Sequence, residues 1–264
     1  MLNYTECLRR LIGDVVGRVP ALGHIDESRL LVFARLGRTG ADGSIATCHC
    51  LTLPESEPGY YFWQDVETGR VLRRSVWFVA KTPAVIIGGQ PVPYMLSFAL
   101  PRFCDQRLAS SPRKRVLYAG AQDWIAKLDT IVHELYHVDP SGTGLRMMNG
   151  GCRYHSAAFL DGVAQLVRAY MVSKPDPAVY DFLRYDFNEL VARYGTVVGT
   201  TFRTSHPQRY LEVLPNQPAE PELDVVPLNV APRRTQYTDA DLALRRFSVI
   251  GCRRVPSSAA SRAA

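Results

Sequence analysis

Apolar residues recur at helical spacing along the first twenty positions of the chain. Leu8, Leu11, Ile12, Val15, Val16 and Val19 fall on one stripe, while Glu6, Arg9, Arg10 and Asp14 interrupt the run. The pattern predicts an amphipathic helix that stops near Pro20. The period then shortens. Residues 29–36 and 45–53 read as strands separated by a glycine-rich turn over 37–43, and residues 76–87 and 94–103 read as a third and fourth strand. Pro83 and the 88–93 region limit pairing, so one of these strands is expected at a sheet edge. The helical period returns with Trp124, Leu128, Ile131 and Leu135. Asp123 stands where an N-cap belongs, and Asp139-Pro140 with Gly142 and Gly144 provides the stop. A second apolar helix follows from Phe159, Val163, Leu166, Val167, Tyr170 and Met171.

Beyond it, residues 176–192 predict a further helix and 195–213 a closing hairpin. Residues 215–234 hold five prolines and three acidic residues, which reads as an extended linker. Residues 238–247 read as a short docked element and 257–264 as a disordered tail. Strands before helices in one chain of this size predict an α+β fold. The expected organisation is one domain over 1–214, a proline-rich linker and appendage over 215–256, and the tail.

Composition changes this picture little. At 264 residues and 47% hydrophobic content, the chain buries a good core as a single domain. The charged residues of the first helix exclude a secretory signal there, and no stretch of about 18 uninterrupted apolar residues predicts a transmembrane helix. A soluble cytoplasmic protein with no membrane partner is the expectation. The six cysteines (Cys7, Cys48, Cys50, Cys104, Cys152 and Cys252) are then expected as thiols. Cys48-His49-Cys50 puts two sulfurs on one strand face, but no second pair stands at zinc-finger spacing, which favours buried strand cysteines. The net charge of +6 rests on arginine clusters scattered along the chain, without a nucleic-acid-binding signature to organise them. An Arg-biased surface accounts for them, and nonspecific nucleic-acid association is compatible with it.

The chemistry lies in His133-Glu134-Leu135-Tyr136-His137. Residues four apart share a helix face, so both imidazoles can grip one metal ion, with the carboxylate at its flank to take a proton from water. With six His in the chain, H-E-x-x-H arises by chance in about one such chain in 200. A catalytic zinc needs a third protein ligand and an open fourth position. The chain after His137 lacks the metzincin continuation. Glu189 has no supporting motif, and neither Cys104 nor Cys152 stands in a deformylase-like motif. His155, four residues before Phe159 at the start of the second apolar helix, is the selected third ligand.

The stretch from Leu128 to Asp161 resembles the compact zincin metallopeptidases, whose pattern is H-E-L-x-H, a turn, then H-x-x-x-F. These include SprT-like and YgjP-like proteins and poorly characterised bacterial and phage metallopeptidases. Residues 130–140, followed by Gly144-Leu145-Arg146, are most similar to the last set. The resemblance implies a zincin-like fold, with an N-terminal mixed sheet packed on the metal helix and a second helix. It also implies zinc on His133, His137 and His155, Glu134 as general base, and a peptide or protein substrate. The chain departs from it in having Leu160 where an aromatic often follows the Phe, and in lacking the C-x-x-C pairs of a zinc ribbon. In such folds an extended peptide adds to a sheet edge beside the metal helix, which nominates residues 94–100, against an ordinary central strand as the alternative. Arg146, Tyr154 and Tyr136 are candidates for oxyanion stabilisation, and Asp129, Asp139 and Asp161 for holding a ligand imidazole, with capping or surface exposure the simpler role for each acid. The alternative function is a non-catalytic zinc-stabilised binding or assembly protein, of phage origin.

Overall fold

A computed structural model describes residues 1–37, 43–51, 60–64, 71–81, 83–142, 144–148, 155–202, 210–213, 236–249 and 251–254. The proposed linker over 215–234, the tail and Tyr154 lie outside the described residues. The fold is α+β, with four small sheets and six α-helices among those residues.

The N-terminal stripe forms helix α1 (Tyr4–Arg18), started by the Asn3 side chain, which accepts from the Glu6 amide at 3.3 Å. Leu8, Leu11, Ile12 and Val15 are essentially inaccessible to solvent. The sheet that carries the site contains β2 (Leu30–Gly37), β3 (Ala46–Cys50) and β8 (Tyr94–Pro101), in the order β2-β8-β3. β2 runs parallel to β8, and β3 antiparallel to it. All eight residues of β8 are buried, as a strand paired on both sides and covered on both faces requires. The edge-strand expectation for 94–100 is therefore corrected: that segment is the central strand, and β2 and β3 are the edges of this sheet among the described residues.

A four-stranded sheet joins chain positions far apart: β1 (Leu2–Asn3), β9 (Val197–Phe202), β12 (Leu242–Ser248) and β13 (Gly251–Arg254). The short docked element is thus a strand of the sheet that holds the N-terminus. The remaining sheets are β4 (Tyr60–Gln64), β5 (Val71–Lys81) and β10 (Tyr210–Val213), and β6 (Ala84–Ile87), β7 (Gln90–Pro91) and β11 (Gln236–Thr238). The predicted hairpin over 195–213 does not form, because β9 pairs with β1 and β12 while β10 pairs with β5. The predicted strand over 76–87 divides at Pro83 into β5 and β6, since proline has no amide to give a ladder.

Helices α2 (Pro112–Leu117), α3 (Ile125–Tyr136) and α4 (Ala157–Val172) build the remainder of the site. The predicted helix over 176–192 splits into α5 (Pro177–Tyr180), a 3₁₀ turn and α6 (Phe187–Tyr194). Asp186 restarts the chain as a helix through a reciprocal capping box with Glu189. The predicted stripe of α3 is confirmed, with Trp124, Leu128, Ile131 and Leu135 all buried. Asp123, however, does not cap α3; its carboxylate accepts from the Leu108 amide at 3.1 Å instead. Among the described residues no helix is long and apolar enough to cross a membrane.

Candidate metal centre

α3 carries His133 on its last turn, and His137 follows as its C-cap, still in helical conformation. The chain then reverses. Val138 bridges Leu145, the Arg146 amide donates to the His137 carbonyl at 2.8 Å, and the Tyr94 hydroxyl donates to the Gly144 carbonyl at 2.6 Å. The return places His155 just ahead of α4, whose N-cap is Ser156, accepting from the Phe159 amide at 3.2 Å.

The Nε2 atoms of the three histidines converge. His133 and His155 are 3.0 Å apart, His137 and His155 3.1 Å, and His133 and His137 3.3 Å. An ion about 2.0–2.1 Å from each of three tetrahedrally disposed nitrogens sets them about 3.3–3.4 Å apart, so the cluster is already near the geometry of a bound cation. A protonated ring nitrogen has no lone pair with which to accept, so hydrogen bonding among the three Nε2 atoms cannot satisfy all three contacts, whereas one divalent metal can take a lone pair from each. It is the one group of three or more such ligands among the described residues.

The site is dry below and open above. Phe159 is buried, and its ring centroid lies 5.2, 4.6 and 5.6 Å from those of His133, His137 and His155. It is the floor on which all three rings rest, and the sequence marks it both by its place on the apolar stripe and by the H-x-x-x-F spacing from His155. His137 is 8% exposed, whereas His155 is exposed, so solvent reaches the cluster from the His155 side. Burial, followed by the other two histidines and by Lys114 and Arg113, lowers the His133 pKa to about 2. Burial, His155 and Arg146 lower that of His137 to about 4. Both rings are therefore neutral, as metal ligands must be. Nδ1 of His137 is buried and has no hydrogen-bond partner among the described residues.

Glu134 is buried beside the histidines, and its Oε2 accepts from the Cys48 amide of β3 at 2.8 Å. Burial raises its pKa to about 7, with the Cys48 amide, Lys114 and Arg35 pulling the other way. The edge strand and the metal helix are thus joined through this carboxylate.

The other candidates have different employment. Arg146 donates from Nε to the Tyr136 carbonyl at 2.7 Å and from Nη2 to the Val138 carbonyl at 3.3 Å, with its guanidinium 4.3 Å from the Tyr136 ring centre. These contacts pin the reversal after His137. The Tyr136 ring packs against Phe159 and α4, its hydroxyl lying 2.8 Å from where a Cβ on Gly162 would stand. A side chain at 162 would displace the Tyr136 ring from this seat. Asp129 is fully buried, contrary to its expected exposure, and receives Arg113 at 2.7 Å, Lys114 at 2.9 Å and the Tyr118 hydroxyl at 2.7 Å. It ties α2 to α3. Asp139 accepts from the Ser141 amide in a local turn, and Asp161 is exposed.

A cavity of about 400 Å³ opens beside His133 and Glu134. A larger one, about 690 Å³, runs along α1 and touches none of these residues. Comparison with known proteins adds no relative: no family model, no curated protein and no solved structure matches this chain.

Proposed function

We propose that the chain is a zinc-dependent peptidase of zincin-like architecture, with His133, His137 and His155 as metal ligands and Glu134 as general base. The observation that carries the reading is the convergence of three Nε2 atoms within 3.3 Å, next to a buried carboxylate on the same helix. Zinc held there supplies the Lewis acidity that brings the pKa of a water molecule near 7 and polarises a carbonyl. Glu134, with Oε2 held by the Cys48 amide, has Oε1 to take the proton as the water oxygen attacks the carbonyl carbon. The same carboxyl then returns the proton to the amide nitrogen as the C–N bond breaks.

β3 supplies the place for an extended substrate. The Ile45 carbonyl and the Leu51 amide bond toward β8 and its approach, so the alternate positions Ala46, Cys48 and Cys50 direct their backbone groups outward. A peptide adding to that edge at Ala46 lies alongside the carboxylate of Glu134, which itself takes the Cys48 amide. The test is zinc content together with turnover of a broad fluorogenic peptide library. Wild-type protein is expected to hold one equivalent of zinc and to cleave. Glu134→Gln is expected to keep the zinc and lose at least about a thousandfold in rate; undiminished turnover by that variant contradicts the reading.

One observation favours a second reading, a zinc-stabilised binding or assembly protein. Arg146, a candidate for oxyanion stabilisation, spends its guanidinium on backbone carbonyls rather than on the cleft. Stoichiometric zinc without cleavage of any library member selects that reading.

A further inference from the structure

The cavity beside His133 and Glu134 is bounded by β3 at Ala46, by the segment after β8, and by α2 and α3. Arg102, Arg107, Arg113 and Lys114 line it, against two carboxylates, Asp129 and Glu134. Asp129 is already engaged by Arg113 and Lys114 together, and Lys114 also donates to the Ala126 carbonyl at 2.7 Å and the Thr130 hydroxyl at 2.6 Å. These two cations therefore contribute field rather than contacts.

Arg102 and Arg107 differ. Among the described residues the Arg102 guanidinium has a single hydrogen-bond partner, the Gly43 carbonyl at 2.7 Å. Arg107 faces Asp186 at 3.5 Å with 59% of its side chain exposed. A guanidinium carries five N–H donors in a planar fork that matches a carboxylate, so both arginines keep donors for an anion. A positive cavity whose guanidinium donors are unspent among the described residues, adjoining both the metal ligands and β3, is built for a negative group near the reacting bond.

Resting on the peptidase reading, we propose that this cavity is a subsite for a carboxylate of the substrate, gripped by Arg102 and Arg107 over the positive field of Arg113 and Lys114. The carboxylate is either an acidic side chain next to the cleaved bond or the substrate's own C-terminus.

The test uses the zinc-loaded full chain and N-acetylated hexapeptides. In one set a single position carries Glu or Gln and the C-terminus is amidated; in the other all side chains are neutral and the C-terminus is free or amidated. A charge-assisted fork predicts a gain in kcat/KM of about tenfold or more for Glu over Gln in the first set, or for the free terminus in the second. Arg102→Ala should lose part of that gain, and Arg102→Glu should reverse it in favour of Lys at the same position. Equal kcat/KM throughout both sets overturns the subsite and leaves the peptidase reading standing. Should no peptide be cleaved, the peptidase reading fails, and calorimetry of the same peptides on Glu134→Gln protein decides the subsite. Tighter binding of the carboxylate-bearing peptide, reduced in Arg102→Glu, upholds the subsite; equal binding or none overturns it. A single-stranded oligonucleotide that binds the cavity while neither carboxylate is preferred also overturns it.

Discussion

Two stretches of this chain carry metal-ligating side chains at suggestive spacing, and they meet different fates. On α3 and ahead of α4, three histidines bring their Nε2 atoms within 3.3 Å of one another. On β3, Cys48-His49-Cys50 offers two thiols and an imidazole that do not form a three-ligand cluster. His49 turns to the Ser97 hydroxyl at 2.9 Å and stacks near Phe33, while Cys48 is buried with its thiol pKa raised, burial being the main cause. Alternation along a strand sends the middle residue to the opposite face, so the triplet cannot close on one ion by itself. A helical turn returns to the same face, and a reversing chain then supplies the third ligand. Residue type makes a ligand; backbone geometry makes a site.

The strongest way to break this contrast is mutation at each stretch. His133→Ala or His137→Ala should abolish stoichiometric zinc binding, read by metal analysis after gel filtration. His49→Ala and the Cys48→Ser/Cys50→Ser double variant should each retain one equivalent. Loss of zinc from the strand variants with normal folding contradicts the assignment.

The supporting aromatics sharpen it. Phe159→Ala and Phe33→Ala each remove a buried ring, which costs about 3–5 kcal/mol of stability, measured by urea unfolding of metal-free protein. Only Phe159→Ala should also weaken zinc binding, by about ten- to a hundredfold, because only that ring supports the ligands. A smaller effect is expected at Asp129→Asn, which strands Arg113 and Lys114 beside a neutral amide. It should cost about 3 kcal/mol and leave zinc stoichiometry at one.

The same contrast explains how much was legible beforehand. The metal helix, its apolar stripe and the choice of His155 rest on local periodicity and on a glycine-rich connection long enough to fold the second helix back, both readable along the chain. Glu134 reaching the Cys48 amide is a contact 86 residues apart, and no local pattern encodes it. Nearby prolines point to an edge among the strands and the resemblance nominates residues 94–100 for it, yet parallel β2 and antiparallel β3 close over both sides of β8. Asp129 has the composition of a surface position on an amphipathic helix. Its burial follows only once α2 delivers Arg113 and Lys114 to meet it. Strand order and charge burial are settled by partners distant in sequence, and it is these that the pattern of single residues leaves open.

X-ray absorption at the zinc edge of the purified 1:1 complex tests the central claim most directly. Ligation by His133, His137 and His155 predicts imidazole nitrogens at about 2.0–2.1 Å, one further light ligand, and no sulfur. A shell at about 2.3 Å, the distance of a zinc–thiolate bond, would place the metal on cysteine and contradict the account.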